Sequence, residues 1–305
     1  MLKKIFTFPA ARTAVAVVVV LTFLLVLPPT RVMAGEFLNL FRVQQVTVLS
    51  FDPTGLESMT RNEALGKKLS ELVSSSTVIT DEPGDPVRAS TVEEAGGLAG
   101  FTVRLPDNQT ASGMYITESS AFTLTIDREK AQALLDGAGR PDLVLPEPID
   151  GAEIYVNIPA MVSVFFGNCP EPDTEGNNNP IDTRVPHPDC IVLGEMTSPT
   201  VDTQEDVDLA QLAEIALEFS GMSAEEATAF ASKVDWGTTL VIPIPKNIST
   251  YSEVSVDESS GTLIQSTDEY SSGYVLLWVK NGILYSVSGT GMDTAAAFAI
   301  AEALP

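Results

Sequence analysis

Apolar residues recur along this chain in two rhythms. A period of two marks strands at residues 43–51, 101–105, 114–117, 122–126, 154–159 and 161–166, and the short run 143–146 (LVLP) is read the same way. A period near 3.6 marks helices. Leu65, Leu69, Leu72 and Val73 share one face of a helix opened by the capping box Thr60-Arg61-Asn62-Glu63. Ser90 and Glu93 form a second box, before a short helix that Gly96 and Gly97 weaken. Asp127 caps a third helix carrying Ala131, Leu134 and Leu135, which Gly137 and Gly139 end. Residues 80–88 (TDEPGDPVR) read as a turn-rich linker.

The second half repeats both rhythms. From Asp206, a helix carries Leu209, Leu212, Ile215, Ala216 and Phe219 until Gly221 stops it, and Ser223 with Glu226 boxes the next one. Strands follow at 238–245, 251–256, 261–266, 274–280 and 283–289, then a helix at 294–304. Asn281-Gly282 joins two alternating apolar runs and predicts a type I′ hairpin. Val275, Leu277 and Val279 then share one face of their strand, with Leu276 and Trp278 on the other. Both faces are apolar, so the sheet should be covered twice, once by Ala297, Ile300, Ala301 and Leu304 of the last helix. Trp236 and Trp278 both read as core residues.

These elements predict an α+β fold of antiparallel β-meanders packed with helices, in two subdomains, preceded by an N-terminal hydrophobic helix. The expected organisation is a leader at 1–34, a first α+β subdomain at 35–168 and a loop at 169–190. A helical pair at 191–235 and a C-terminal meander plus helix at 236–305 complete it.

The leader carries Lys3, Lys4 and Arg12 ahead of the apolar run 13–27 and the pair Pro28-Pro29. Positive charge resists transfer across a bilayer, so the N-terminus should stay inside and the remainder face out. Two fates are compatible with the residues. A run of this length suits a signal peptide, cut before Gly35 after Val32-Met33-Ala34, whereas a helix beginning at Ile5 reaches spanning length as an anchor.

Charge then narrows the partners. Residues 35–305 hold 13 basic and 41 acidic side chains, a formal charge of −28. Nucleic acid and anionic lipid surfaces need Lys and Arg to neutralise phosphate, so neither is expected to bind this region.

Candidate chemistry is sparse. Cys169 and Cys190 are the only cysteines, and outside the cytoplasm they predict one structural disulfide closing a turn-rich loop. His187, flanked by Pro186 and Pro188, has no partner pattern for catalysis or zinc. The acids and amides from Asp173 to Asp189 fit no calcium-loop spacing and read as a solvated loop. Gly289-Thr290-Gly291-Met292-Asp293-Thr294 has the look of a phosphate-cradling turn, but Asp293 would place negative charge against the phosphate, so a glycine turn with an Asp cap is expected. No catalytic residue, metal ligand or cofactor site is nominated.

The stretches GEFLNLFRVQQVTVLSFD, AGFTVRLP, LPEPIDGAEIYVNIP, LGEMTSPTVD, KVDWGTTLVIPIP and YVLLWVKNGILYSVSGTGMDTAAAFAIAEAL carry a resemblance. They are similar to the extracytoplasmic region of bacterial single-pass, anti-sigma-factor-like membrane proteins. The part from Trp236 resembles the domain of unknown function 4367 that ends many such chains. The resemblance implies a retained anchor and an outer domain that senses or binds something at the envelope. It transfers no ligand residues, and the short stretch before the apolar run is too small for a folded sigma-binding domain. The expected function is therefore a membrane-tethered, non-catalytic sensor or interaction module with a protein partner at the envelope. The alternative is a periplasmic or secreted carrier for a small hydrophobic ligand, for which an apolar cavity would be the mark.

Overall fold

The computed structural model describes residues 43–52, 62–170, 189–204, 207–236, 238–266 and 272–305. In chain order the first elements are β1 (Gln45–Phe51), α1 (Glu63–Ser76), β2 (Thr77–Asp81), β3 (Val87–Arg88), α2 (Val92–Ala99), β4 (Gly113–Thr117), β5 (Ser120–Thr125) and α3 (Arg128–Gly137). Next come a 3-10 turn (Glu147–Ile149), β6 (Glu153–Ile158), β7 (Met161–Gly167), β8 (Cys190–Thr197), β9 (Thr200–Thr203), α4 (Leu209–Phe219) and α5 (Ala224–Ala231). The last are β10 (Thr239–Pro245), β11 (Ser249–Val256), β12 (Ser259–Ser266), β13 (Gly273–Lys280), β14 (Ile283–Thr290) and α6 (Ala295–Glu302). The class is α+β, as expected, but residues 43–305 form one compact unit rather than two subdomains, and the expected helical pair at 191–235 begins with the strands β8 and β9.

An eight-stranded antiparallel sheet in the order β11-β12-β13-β14-β8-β7-β4-β3 holds the main core. Register puts Leu263, Leu276, Val287, Leu193, Val164 and Met114 in one row across it, and Trp278, Tyr285, Glu195, Val162 and Ile116 in the next row on the same face. Ala297, Ile300 and Ala301 of α6 and Ala95 of α2 close over that face. Gly261 lies beside Trp278 because a Cβ there would sit 2.6 Å from Val256 and 3.0 Å from the Leu277 carbonyl. The expected hairpin turn is present: Asn281 and Gly282 have φ of 53° and 75°, and Lys280 pairs with Ile283.

The opposite face is met at its β12–β13 end by a second layer. There β1 and β10 pair in parallel from Gln45–Thr239 to Phe51–Pro245. The Ser198 hydroxyl, at the bend between β8 and β9, donates to the Val43 carbonyl. A third sheet, β2-β5-β6-β9, is antiparallel and four-stranded. The chain passes between the two larger sheets at 82–86, 118–119, 159–160 and 198–199.

Several sequence expectations are corrected. Residues 101–105 are extended without a strand partner, because the Arg104 amide donates to the Glu195 side chain rather than to a neighbouring strand. Residues 143–146 are not a strand either. Side chains of α3 take over their backbone groups: Gln132 bonds Leu143 and Leu145, and Arg128 bonds Leu145. The stretch 80–88 is more than a linker, since it holds the end of β2 and all of β3.

Caps also move. Asn62 accepts from Ala64 and Leu65, Thr91 rather than Ser90 accepts from Glu94, and Asp208 accepts from Gln211; Thr60 and Asp206 lie outside the described residues. The Ser223–Glu226 box is formed as expected. Trp278 is fully buried, but Trp236 is only half-buried, its indole N–H donating to the Ala231 carbonyl. The N-terminal apolar segment lies outside the described residues, among which no helix is long and apolar enough to cross a membrane.

Candidate functional site

Among the described residues, a dense polar arrangement lies where the main core ends. Helix α2 stops at Gly100, whose φ of 79° suits a residue without Cβ, and the chain then runs extended through Arg104. Facing it is the β11–β12 turn, where Asp257 and Glu258 both adopt left-handed backbone. Asp tolerates that region better than most residues, and the Asp257 amide is held by the Glu302 carboxylate at 3.1 Å.

Arg104 uses its whole guanidinium. One Nη donates to Asp257 at 2.6 Å and the other to the second Asp257 oxygen at 3.1 Å, a bidentate pair. The same group reaches the Leu304 carbonyl at 3.1 Å and the Pro305 carbonyl at 2.8 Å, and the cation lies 5.3 Å from the Tyr285 ring centre. Asp257 also accepts from Lys280 at 2.7 Å and from the Trp278 indole N–H at 3.2 Å. Trp278 stacks on Tyr285 at 5.2 Å, so the polar groups rest on an aromatic floor.

The electrostatics follow from these contacts. Burial alone would raise the Asp257 carboxyl, but hydrogen bonds from Arg104, Lys280 and Trp278 outweigh it and hold the group below the ordinary range. The bond from Asp257 raises Arg104 further, against the opposing effect of burial. Glu195 behaves in the opposite way. It is fully buried in β8, and desolvation pushes its carboxyl from an ordinary 4.5 to about 7, against the backbone hydrogen bond from Arg104 and the pull of the Arg104 charge.

Chemically this is a clasp. The bidentate pair fixes Arg104 to the β11–β12 turn, two further bonds fix it to the carbonyls of Leu304 and Pro305 just beyond α6, and the Asp257 amide ties that turn to Glu302 of α6. Its polar groups are spent on one another, which suits holding segments together rather than gripping a substrate. Cavities among the described residues include one away from the clasp and one beside its 101–103 segment. One of about 270 Å³ sits between the α4–α5 turn and the end of β1, bordered by Asp52, Glu226 and Lys246 with Met222 and Phe230. The other, about 520 Å³, is an open groove beside α2 between Val92, Gly96 and Phe101.

Among the residues singled out in the sequence, Cys169 and Cys190 are joined by a disulfide, with Cα atoms 4.7 Å apart at the base of the β7–β8 connection. His187 and the acids and amides of 173–182 lie outside the described residues. Among the described residues no group of three His, Cys, Asp or Glu is arranged to hold a metal. In the glycine turn, Asp293 accepts from the Ala295 amide, but the N-cap position of α6 is Thr294, one residue beyond the expected Asp, and its side chain makes no cap bond. The sequence reading missed Arg104, Glu195, Asp257 and Lys280. One signal was present: Glu195 is a charged residue inside the apolar run IVLGEMT, where an acid has no business unless a partner meets it.

A domain of unknown function (DUF4367) matches residues 228–304, about a quarter of the chain. The matched stretch supplies Asp257, Trp278, Lys280, Tyr285 and Glu302 of the clasp, while Arg104 and Glu195 come from outside it. No curated protein and no solved structure matches the chain.

Proposed function

We propose that this chain is a non-catalytic interaction module, held outside the cytoplasm by its N-terminal apolar segment, that binds a protein partner at the cell envelope. One observation carries the reading. The main core is filled, with Trp278, Leu276, Leu193 and Ile300 fully buried, whereas the four-stranded sheet leaves apolar side chains in solvent. Register aligns Ile79, Phe122, Val156 and Val201 in a row on one face of that sheet, and the ends of the row, Ile79 and Val201, are 59% and 53% exposed. A contiguous apolar strip on a strongly acidic protein suits a protein surface better than water. A packed core gives little room for the alternative, a carried hydrophobic ligand. The disulfide supports an oxidising compartment, and the DUF4367 match agrees with a regulator-like extracytoplasmic tail.

A photo-crosslinking residue at position 201, in the full chain in native membranes, tests this. Val201 and its neighbour Asp202 are both exposed but lie on opposite faces of β9. A protein adduct at 201 and none at 202 is the expected result. Equal labelling at both positions, or none at 201, overturns the reading, and a lipid-sized adduct at 201 favours the carrier.

A further inference from the structure

Glu195 is an expensive residue in its place. Its carboxyl sits in the core row between Tyr285 and Val162, and both its oxygens are served by one backbone N–H, that of Arg104, at 3.3 and 3.1 Å. A buried carboxylate needs a charged or multiple-donor partner to remain ionised. The nearest cation, Arg104, is already committed to Asp257 and to the carbonyls of Leu304 and Pro305. The other groups around the site offer no relief. Lys280 is bound to Asp257 and lies near Glu258, Tyr285 lies beneath the Arg104 cation, and Glu302 is held by the Asp257 amide. An ionised Glu195 therefore has to draw in water or take Arg104 from Asp257, and either change displaces the segment that carries Arg104.

We propose that residues 101–107, with Leu304 and Pro305, form a proton-operated strap. It is closed over the end of the core while the Glu195 carboxyl holds a proton and loosened when that proton leaves. The strap has its own attachment points. Besides the Arg104 contacts, the Asp107 amide donates to the Ala303 carbonyl at 3.4 Å, so 101–107 and the end of α6 move as partners. The direction follows from linkage. Closing raises the affinity of Glu195 for its proton, so closure is favoured as pH falls and is weakened as pH rises through about 7. Closed and open affinities of about 7 and 4.5 make the strap roughly thirtyfold easier to open at pH 8.5 than at pH 5.5.

Amide exchange in the intact chain reads this out, with each rate divided by the intrinsic chemical rate at the same pH. The expected result is that protection of Arg104 and Asp107 falls roughly thirtyfold between pH 5.5 and 8.5, while amides of the β13–β14 hairpin do not follow. Glu195→Gln keeps an acceptor and cannot ionise, so its protection profile should be flat. Equal protection of Arg104 at both pH values in the unaltered chain overturns the proposal, as does a pH dependence that survives in Glu195→Gln. If that variant fails to fold, carbon-13 NMR of the Glu195 carboxyl in the unaltered chain decides. A midpoint near 7 is required, and one near the ordinary glutamate value removes the switch.

Discussion

The eight-stranded and four-stranded sheets are built from the same residue types and end in opposite states. In the first, two rows of large side chains lie under α2 and α6, and Leu276, Trp278, Val287 and Leu193 have no contact with water. In the second, every strand residue keeps some exposure, although Phe122, Leu124, Ile154 and Val156 are as apolar as their counterparts. The separate small core near it is made by the loop residues Leu143, Leu145 and Ile149 with Leu135 of α3, and α4 packs against that cluster. Apolar composition therefore does not decide burial. What differs is the cover: α6 is small-residue rich, with Ala297 and Ala301 letting it sit close, and α2 brings Ala95 down likewise. Stability should accordingly reside in the eight-stranded sheet, and the four-stranded sheet is left available for other use.

The sharpest test of that contrast is Leu276→Ala. A fully buried leucine with close neighbours should cost about 3 kcal/mol of unfolding free energy in a denaturant titration, through lost transfer energy and the cavity left behind. A loss below about 1 kcal/mol would mean that the main core is loosely packed and the contrast is false.

Gly282→Val probes the same sheet through its backbone. A β-branched residue at φ of 75° should lower stability by roughly 1–3 kcal/mol, seen as a lower thermal midpoint. An unchanged midpoint would mean that the β13–β14 turn contributes nothing to the stability assigned to its sheet.

Val201→Ala is the matching change on the other sheet and should have the smallest effect, within about 0.5 kcal/mol by the same titration. A cost approaching that of Leu276→Ala would show that the four-stranded sheet is part of the stable core, and would remove the reason for treating its row as a surface kept for a partner.

Much of the local structure is legible in the sequence. The Asn281-Gly282 hairpin, the Ser223–Glu226 box, the Asp127 cap and the disulfide all depend on residues close in sequence or on cysteines with one choice of partner. The caps expected at Thr60 and Ser90 fall at Asn62 and Thr91, a difference only in which of several competent polar residues takes the role. The errors at 101–105 and 143–146 have another origin. Both segments alternate like strands, but a strand also requires a neighbour, and here side chains from Glu195, Gln132 and Arg128 take backbone groups instead.

By itself, then, the sequence determined the elements whose cause is short-range: turn chemistry, helix caps, face alternation, and the acidic balance that disfavours phosphate-bearing partners. Only the tertiary structure decided which faces are covered. It brings β1 beside β10 in parallel, pairing Gln45 with Thr239, and carries Arg104 to Asp257 and Glu195 to the Arg104 amide. Residue types cannot specify such pairings singly, because burial and hydrogen bonding are properties of whichever neighbours the fold supplies. Glu195 shows this most directly: its place among Tyr285, Val162 and the Arg104 amide, and with it the raised affinity of its carboxyl for a proton, comes from neighbours far away in sequence.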